Sequence, residues 1–429
     1  MRLGSPVPTF ADAIIVSSVR QYAVGVAAAD VLLEACRLSP DDDAPRLVWA
    51  DAVGGERGEL VVIQCDLARG DLPPGEAAIR RRRERELLER HGDEWAGIRA
   101  YQHPGSRPRR EFRRGFVEAA ELDPRMLAEH GEEIFQRAPL LRSITTIGTL
   151  VSSGDPLAGL RALLRSPALR RLRGLDLSYV GVQAQPLAYE QMRDGHGDEA
   201  VRLLVGSGAL ARLRALGISW SGLGAVGMHH LVVAGGLEHV AQLWLRGHDL
   251  GGGADLGGDA VLAVLARAPH VTSLDLYGTT DFEAILPALP PVTELHLSEL
   301  TDETLALLGT SRAAATLARL RLSLSAFEQG DGFGAFPRLR ELDLRNARFA
   351  DPERGARAIA ALPALRRLRV MPSAPVSVLR LIAHALGPQL EELDLSNGDW
   401  HEPRLLRELR ALVAGEVIDG PLNLADALL

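Results

Sequence analysis

The chain has 429 residues, 46% of them apolar, 24% charged and 4% aromatic, a length for two or three domains or one long repeat array. It contains no lysine, so all 48 basic residues are arginine; this excludes a P-loop lysine, a Schiff-base lysine and a kinase-type strand lysine. A net charge of −8 opposes general polyanion binding, and two cysteines, Cys36 and Cys65, exclude a disulfide-built scaffold.

Residues 1–25 form an N-terminal extension in which a broken apolar run with Asp12 lacks the core of a secretion signal. The longest near-apolar run, Leu231 to Leu245, is too short to span a bilayer, and a soluble cytoplasmic protein with no membrane partner is expected. Residues 26–70 predict three short helices. The run Asp41-Asp42-Asp43 precedes the second, where carboxylates satisfy free N–H groups; no metal is expected there. Cys36 and Cys65 fall on apolar helix faces and are expected as buried free thiols. From Ala78 to Gly115 there are twelve arginines against six acids. The spacing predicts a solvated helix with ion pairs Arg80–Glu84, Arg82–Glu86 and Arg85–Glu89. The less neutralised Arg107, Arg109, Arg110, Arg113 and Arg114 supply a second functional reading, contact with RNA or DNA.

Of 72 leucines, 60 follow residue 139. The pattern L-x-x-L-x-L, with Ile or Val substituting, begins at Leu141, Leu172, Leu213, Val240, Val271, Val292, Leu317, Leu339, Leu365 and Leu390, and a looser copy starts at Val117. Intervals in the mid-twenties suit a strand, a turn, a helix and a return loop. Helical patterns such as DPLAGLRALLRS from Asp155 and PERGARAIAALP from Pro352 occupy the gaps, and an insertion, 183–197, is expected as a rim excursion. The chain resembles leucine-rich-repeat proteins with helical convex segments similar to the ribonuclease-inhibitor type. The Asn that usually ends the strand motif is mostly missing, with Asn346 and Asn397 beside its place, so turn hydrogen bonds must come from other groups. The stretch PDDDAPRLVWAD, followed by ERGEL and Gln64, resembles the short repeat-companion domain that precedes repeat arrays in bacterial proteins. That resemblance implies a capping adaptor without catalytic residues. The expected fold is therefore α/β: a helical region over 26–111, a solenoid of about ten or eleven repeats over 112–413, and a cap or tail over 414–429.

Gly222-Leu-Gly224-Ala-Val-Gly227 follows a strand, precedes a helix and has Asp249 about 22 residues on, as a dinucleotide site would. A repeat turn explains the same glycines, and a nucleotide-binding enzyme is the most distant reading. No G-x-S-x-G elbow occurs, and the adjacent His229 and His230 point in different helix directions; the spacing of His130 and Glu133 has no second pair. Neither an enzyme nor a cofactor is expected. Alternation places the third, fifth and seventh repeat positions on the concave face. There the signs alternate from Glu294 onward, through Arg319, Glu341, Arg367 and Glu392 in one column and Arg321, Asp343, Arg369 and Asp394 in the other, which reads as a structural cross-strand ladder ahead of the alternative, a mixed-charge recognition surface. Mid-arc, Trp244, Arg246, Tyr277 and His296 project beside the small Ala215, Gly217 and Ser219. They read equally as the anchor for an unidentified protein partner or as packing, with Arg246 stacked on Tyr277 and Trp244 lying over Gly217. The expected function is a noncatalytic protein-binding scaffold.

Overall fold

In the computed structural model the described residues are 31–102, 109–146, 155–178, 196–219, 222–246, 257–279, 281–370, 374–396 and 403–419. The extension 1–25, most of the 183–197 insertion, Arg107, Asp249 and Asn397 lie outside them. Among the described residues four helices come first: α1 (residues 31–38), α2 (Ala44–Val53), α3 (Gly55–Arg69) and α4 (Pro74–Ala96). Helix α2 stops where Gly54 takes φ +64°, and α4 begins at Pro74, whose missing N–H costs nothing in a first turn.

A hairpin of β1 (Arg110–Arg113) and β2 (Phe116–Leu122) opens the sheet. Strand β2 contains the looser copy from Val117 and pairs in parallel with β3 (Ser143–Thr146), after helix α5 (Pro124–Arg137). The sheet continues through β4 (Gly174–Asp176), β5 (Ala215–Gly217), β6 (Gln242–Trp244), β7 (Ser273–Asp275), β8 (Glu294–Ser298), β9 (Arg319–Phe327), β10 (Glu341–Phe349), β11 (Arg367–Arg369), β12 (Glu392–Asp394) and β13 (Glu416–Ile418). All thirteen strands stand in sequence order, and every pairing from β2 onward is parallel. The L-x-x-L-x-L starts place equal repeat positions opposite one another, Leu216 beside Leu243 and Leu342 beside Leu368. These leucines are fully buried. Each contributes roughly 1.5–3 kcal/mol of burial free energy, which no unit could collect alone.

The concave columns depart from the expected exposure. Asp275 and Asp343 are each 4% exposed and Asp394 is 7% exposed. Each aspartate at the fifth repeat position accepts a hydrogen bond from the N–H two residues on: Asp176 from Ser178 at 3.0 Å, Asp275 from Tyr277 at 3.0 Å, Asp343 from Arg345 at 3.2 Å and Asp394 from Ser396 at 2.8 Å. These carboxylates close the turns that lack asparagine. They also carry the ladder: Arg321 lies 3.3 Å from Asp343, Arg369 lies 3.5 Å from Asp343 and 3.4 Å from Asp394, and Arg319 and Arg367 pair with Glu294 and Glu341. Burial alone would push the Asp343 carboxyl up, but the Arg345 hydrogen bond and the neighbouring guanidinium charges hold it below the usual carboxylate range.

Two sets of charges bind the helices to the sheet. Arg46 of α2, fully buried, reaches Glu118 of β2 at 2.5 Å, and the other Glu118 oxygen lies 2.6 Å from Arg142 at the start of β3. Beside them the hairpin turn presses on α3. A Cβ at Gly115 would stand 2.2 Å from Val61 Cγ2, and the Gly115 N–H donates to Gln64 at 2.6 Å. The second set lies at the far end of the sheet, where Arg81 pairs with Glu391 at 2.7 Å and Arg85 pairs with Glu416. The pairs Arg80–Glu84, Arg82–Glu86 and Arg85–Glu89 are therefore replaced by others. Arg80 goes to Asp66 at 2.5 Å, Arg82 lies 3.8 Å from Glu416, and Arg83 goes to Glu56 and Glu59 at 3.0 and 2.8 Å. The helix is packed between α3 and the last repeats, and carboxylates on those neighbours draw Arg80, Arg82 and Arg85 away from Glu84, Glu86 and Glu89, while Glu86 lies 3.5 Å from Arg83. The helical region thus touches both ends of the solenoid and closes its arc.

Three outcomes follow from this packing. Asp343→Arg places a fourth cation among Arg321, Arg345 and Arg369 and should cost about 3–5 kcal/mol in denaturant unfolding, against less than about 0.5 kcal/mol for Arg357→Ala on an exposed helix face. A double-mutant cycle of Arg85→Glu with Glu416→Arg should return a coupling of roughly 0.5–3 kcal/mol; additive single effects would mean that the closing contact contributes nothing. Both cysteines are fully buried, and burial pushes the Cys65 thiol up to about 12. Alkylation at pH 8 should therefore label neither cysteine until denaturant unfolds the helical region.

Candidate functional site

The middle of the concave face holds a cleft of about 170 Å³ between β6 and β11. Trp244, Arg246, Asp275 and His296 form one end of it, and Arg321, Asp343 and Arg369 of the ladder form the other. Asp275 organises the first end. Its Oδ2 accepts from Arg246 Nε at 2.7 Å and lies 2.9 Å from His296 Nδ1, while His296 Nε2 is 3.0 Å from Ser323 Oγ. Burial raises the Asp275 carboxyl, and the charges of His296 and Arg246 overcome that and hold it well below the usual carboxylate range.

The four residues singled out in the sequence are thus neighbours, in a different arrangement from the expected stack. Arg246 pairs with Asp275, and the Tyr277 ring packs on His296, centroids 5.4 Å apart. Trp244 does lie over Gly217: a Cβ there would stand 2.8 Å from its Cε3. Trp244, Arg246, Tyr277 and His296 are all partly exposed, so the network leaves an aromatic and cationic rim facing the concavity. Asp275 is the residue that sequence reasoning did not single out. The recurring L-D-L at its position was the available signal.

The arginines of the first hairpin are engaged within the chain. Arg110 pairs with Asp93, Arg113 with Glu111 at 2.7 Å, and Arg114 with Asp43 at 2.6 Å. The Arg109 N–H donates to Glu121 at 3.4 Å, and Arg107 lies outside the described residues. In the aspartate run Asp42 caps α2, accepting from Ala44 N–H at 2.9 Å, while Asp43 is committed to Arg114.

The glycine motif is occupied by the protein itself. Asp198, on helix Gly197–Gly206, accepts from Gly224 N–H at 2.7 Å and Gly227 N–H at 2.9 Å at the start of helix Ala225–Ala234. A Cβ at Gly227 would stand 2.5 Å from the same carboxylate. Where a dinucleotide would place its phosphate, a side chain from the preceding repeat sits, and the sheet has no reversal in strand order. Asp302 repeats the device, accepting from the N–H groups of Glu328, Gln329 and Gly330. Among the described residues no group of three His, Cys, Asp or Glu side chains is placed to hold a metal, and no helix is long and apolar enough to cross a membrane.

No protein-family model and no curated protein matches the chain. Among solved structures it is similar to an internalin (inlF) from Listeria monocytogenes str. 4b F2365, at 16% identity over 77% of this chain and 91% of that one, with a TM-score of 0.32. It is also similar to a chain of the TLR13–ssRNA13 complex, at 19% identity over 62% of this chain and 30% of that one with a TM-score of 0.29. A chain of the yeast Rad7 and Elc1 complex matches at 11% identity over 97% and 94%, with a TM-score of 0.35. With parallel strands in unbroken sequence order, equal repeat positions side by side and helices filling the intervals, the chain is a leucine-rich-repeat solenoid.

Proposed function

We propose that the protein is a noncatalytic protein-interaction module that holds a partner protein on the concave face of its middle repeats, through Trp244, Arg246, Tyr277 and His296. The observation that carries this reading is the cleft itself: a buried carboxylate, Asp275, holds the Arg246 guanidinium and the His296 ring, with the partly exposed Trp244 indole on the cleft wall and the Tyr277 ring packed on His296. Preorganised aromatics and arginine at the centre of a concavity are the residue types that dominate binding energy. From β8 to β12 the face is self-satisfied, its ladder charges paired with one another. The helical region acts in this reading as a cap and adaptor that closes the arc, in a soluble, cytoplasmic protein. Contact with nucleic acid through Arg109, Arg110, Arg113 and Arg114 is the weaker reading, because three of these guanidiniums pair with carboxylates of the chain itself.

The test compares Trp244→Ala and Tyr277→Ala with Arg357→Ala for partner capture and thermal stability. Each aromatic truncation should weaken capture about thirtyfold, corresponding to about 2 kcal/mol, with little change in melting temperature. Full capture with a large loss of stability would make the aromatics packing residues and move the binding site elsewhere.

A further inference from the structure

Four aspartates occupy the fifth repeat position, and three of them have cations. Asp275 has Arg246, with the His296 ring 2.9 Å away, Asp343 has Arg321, Arg345 and Arg369, and Asp394 has Arg369. Asp176 on β4 makes the same turn, its Oδ1 accepting from Ser178 N–H at 3.0 Å and Ser178 Oγ at 2.5 Å, but among the described residues no cation touches it. The two charges that act on it from a distance, Arg246 and Asp275, work in opposite directions.

The surroundings of Asp176 are small. Its strand neighbours at the same repeat position are Thr145 and Gly217, and Trp244 follows beyond Gly217. Both Asp176 and Trp244 lean over the glycine: a Cβ there would stand 2.3 Å from Asp176 Oδ1 and 2.8 Å from Trp244 Cε3. At the third position Ser143, Gly174 and Ala215 leave equally little bulk on β3 to β5. Among the described residues the concave face therefore has a floor of small side chains next to an indole, with one carboxylate that no cation touches.

We propose that Asp176 and Trp244 form a receptor for a basic side chain, Arg or Lys, carried by a segment of the partner protein. The arriving side chain supplies the cation that the other three aspartates receive from within the chain. The indole supplies a surface for the aliphatic stem and an electron-rich face for the cation. Burial holds the Asp176 carboxyl above its ordinary range against the pull of its Ser178 hydrogen bonds, so an arriving cation relieves an uncompensated site. This assignment rests on the concave-face reading given above and names the chemistry it selects.

Asp176→Asn separates recognition from the turn, because the amide oxygen can still accept from Ser178. Dodecapeptides selected from a random display library on the full chain serve as the probe, and their dissociation constants are measured by fluorescence anisotropy. Enriched peptides should share one Arg or Lys. Replacing it by citrulline or acetyl-lysine, respectively, should weaken binding to the native protein at least about tenfold and to Asp176→Asn less than about twofold, with the melting temperature of that variant retained or raised. Selection of peptides without a shared basic residue, or equal affinity for the native protein and Asp176→Asn, would overturn the assignment. If Trp244→Ala and Tyr277→Ala weaken the peptides while Asp176→Asn does not, only this inference fails. If none of the three matters, the concave-face reading fails with it.

Discussion

A fully buried guanidinium, Arg46, against an almost fully buried carboxylate, Glu118, joins the helical region to the first parallel strand. Such a pair adds little net stability over apolar packing, yet removing one partner strands a buried charge at a cost of about 3–5 kcal/mol. It therefore fixes an orientation. With α2 set against β2 by Arg46 and α3 set against the hairpin turn by Gly115, α4 extends to the far end of the sheet, where Glu391 and Glu416 meet its arginines. The first strand and the last are held by one helical body, and the concave face becomes the inside of a closed arc.

Charge is distributed unevenly around that arc. From β8 to β12 acid and base alternate and neutralise one another, with four arginines and four acids in contact across strands. From β3 to β5 the concave side chains are small, and among the described residues no cation touches Asp176. Between them stands the Trp244, Arg246, Tyr277 and His296 group, in which Asp275 holds Arg246 and His296. A ladder that cancels its own field gives a ligand little to follow, whereas the small-residue floor and its aromatic edge leave room and an unmet charge.

The solenoid was legible in the sequence because its signal is periodic and local: each L-x-x-L-x-L start marks a strand, and even the looser copy at Val117 does so. The last strand was not, because Ala414 and Val417 replace two of its three leucines and a polar Asp419 fills the third slot. The partners of the α4 arginines were equally hidden. Helical spacing suggested Glu84, Glu86 and Glu89, while Arg81 and Arg85 pair with carboxylates 310 and 331 residues away. At the candidate site the four residue names could be read, but their arrangement could not. Alternation shows which side chains face the concavity, and it says nothing of how deeply Asp275 sinks between Arg246 and His296 or of Asp198 filling the glycine turn from the preceding repeat.

Amide hydrogen exchange of the full chain with and without a bound partner segment tests most directly the claim that the middle concave face is the binding surface. The account predicts added protection in the strands and strand-end turns of residues 143–146, 174–178, 215–219, 242–246 and 273–277, with the convex helices unchanged. Protection confined to the convex helices or to the β1–β2 hairpin would contradict it.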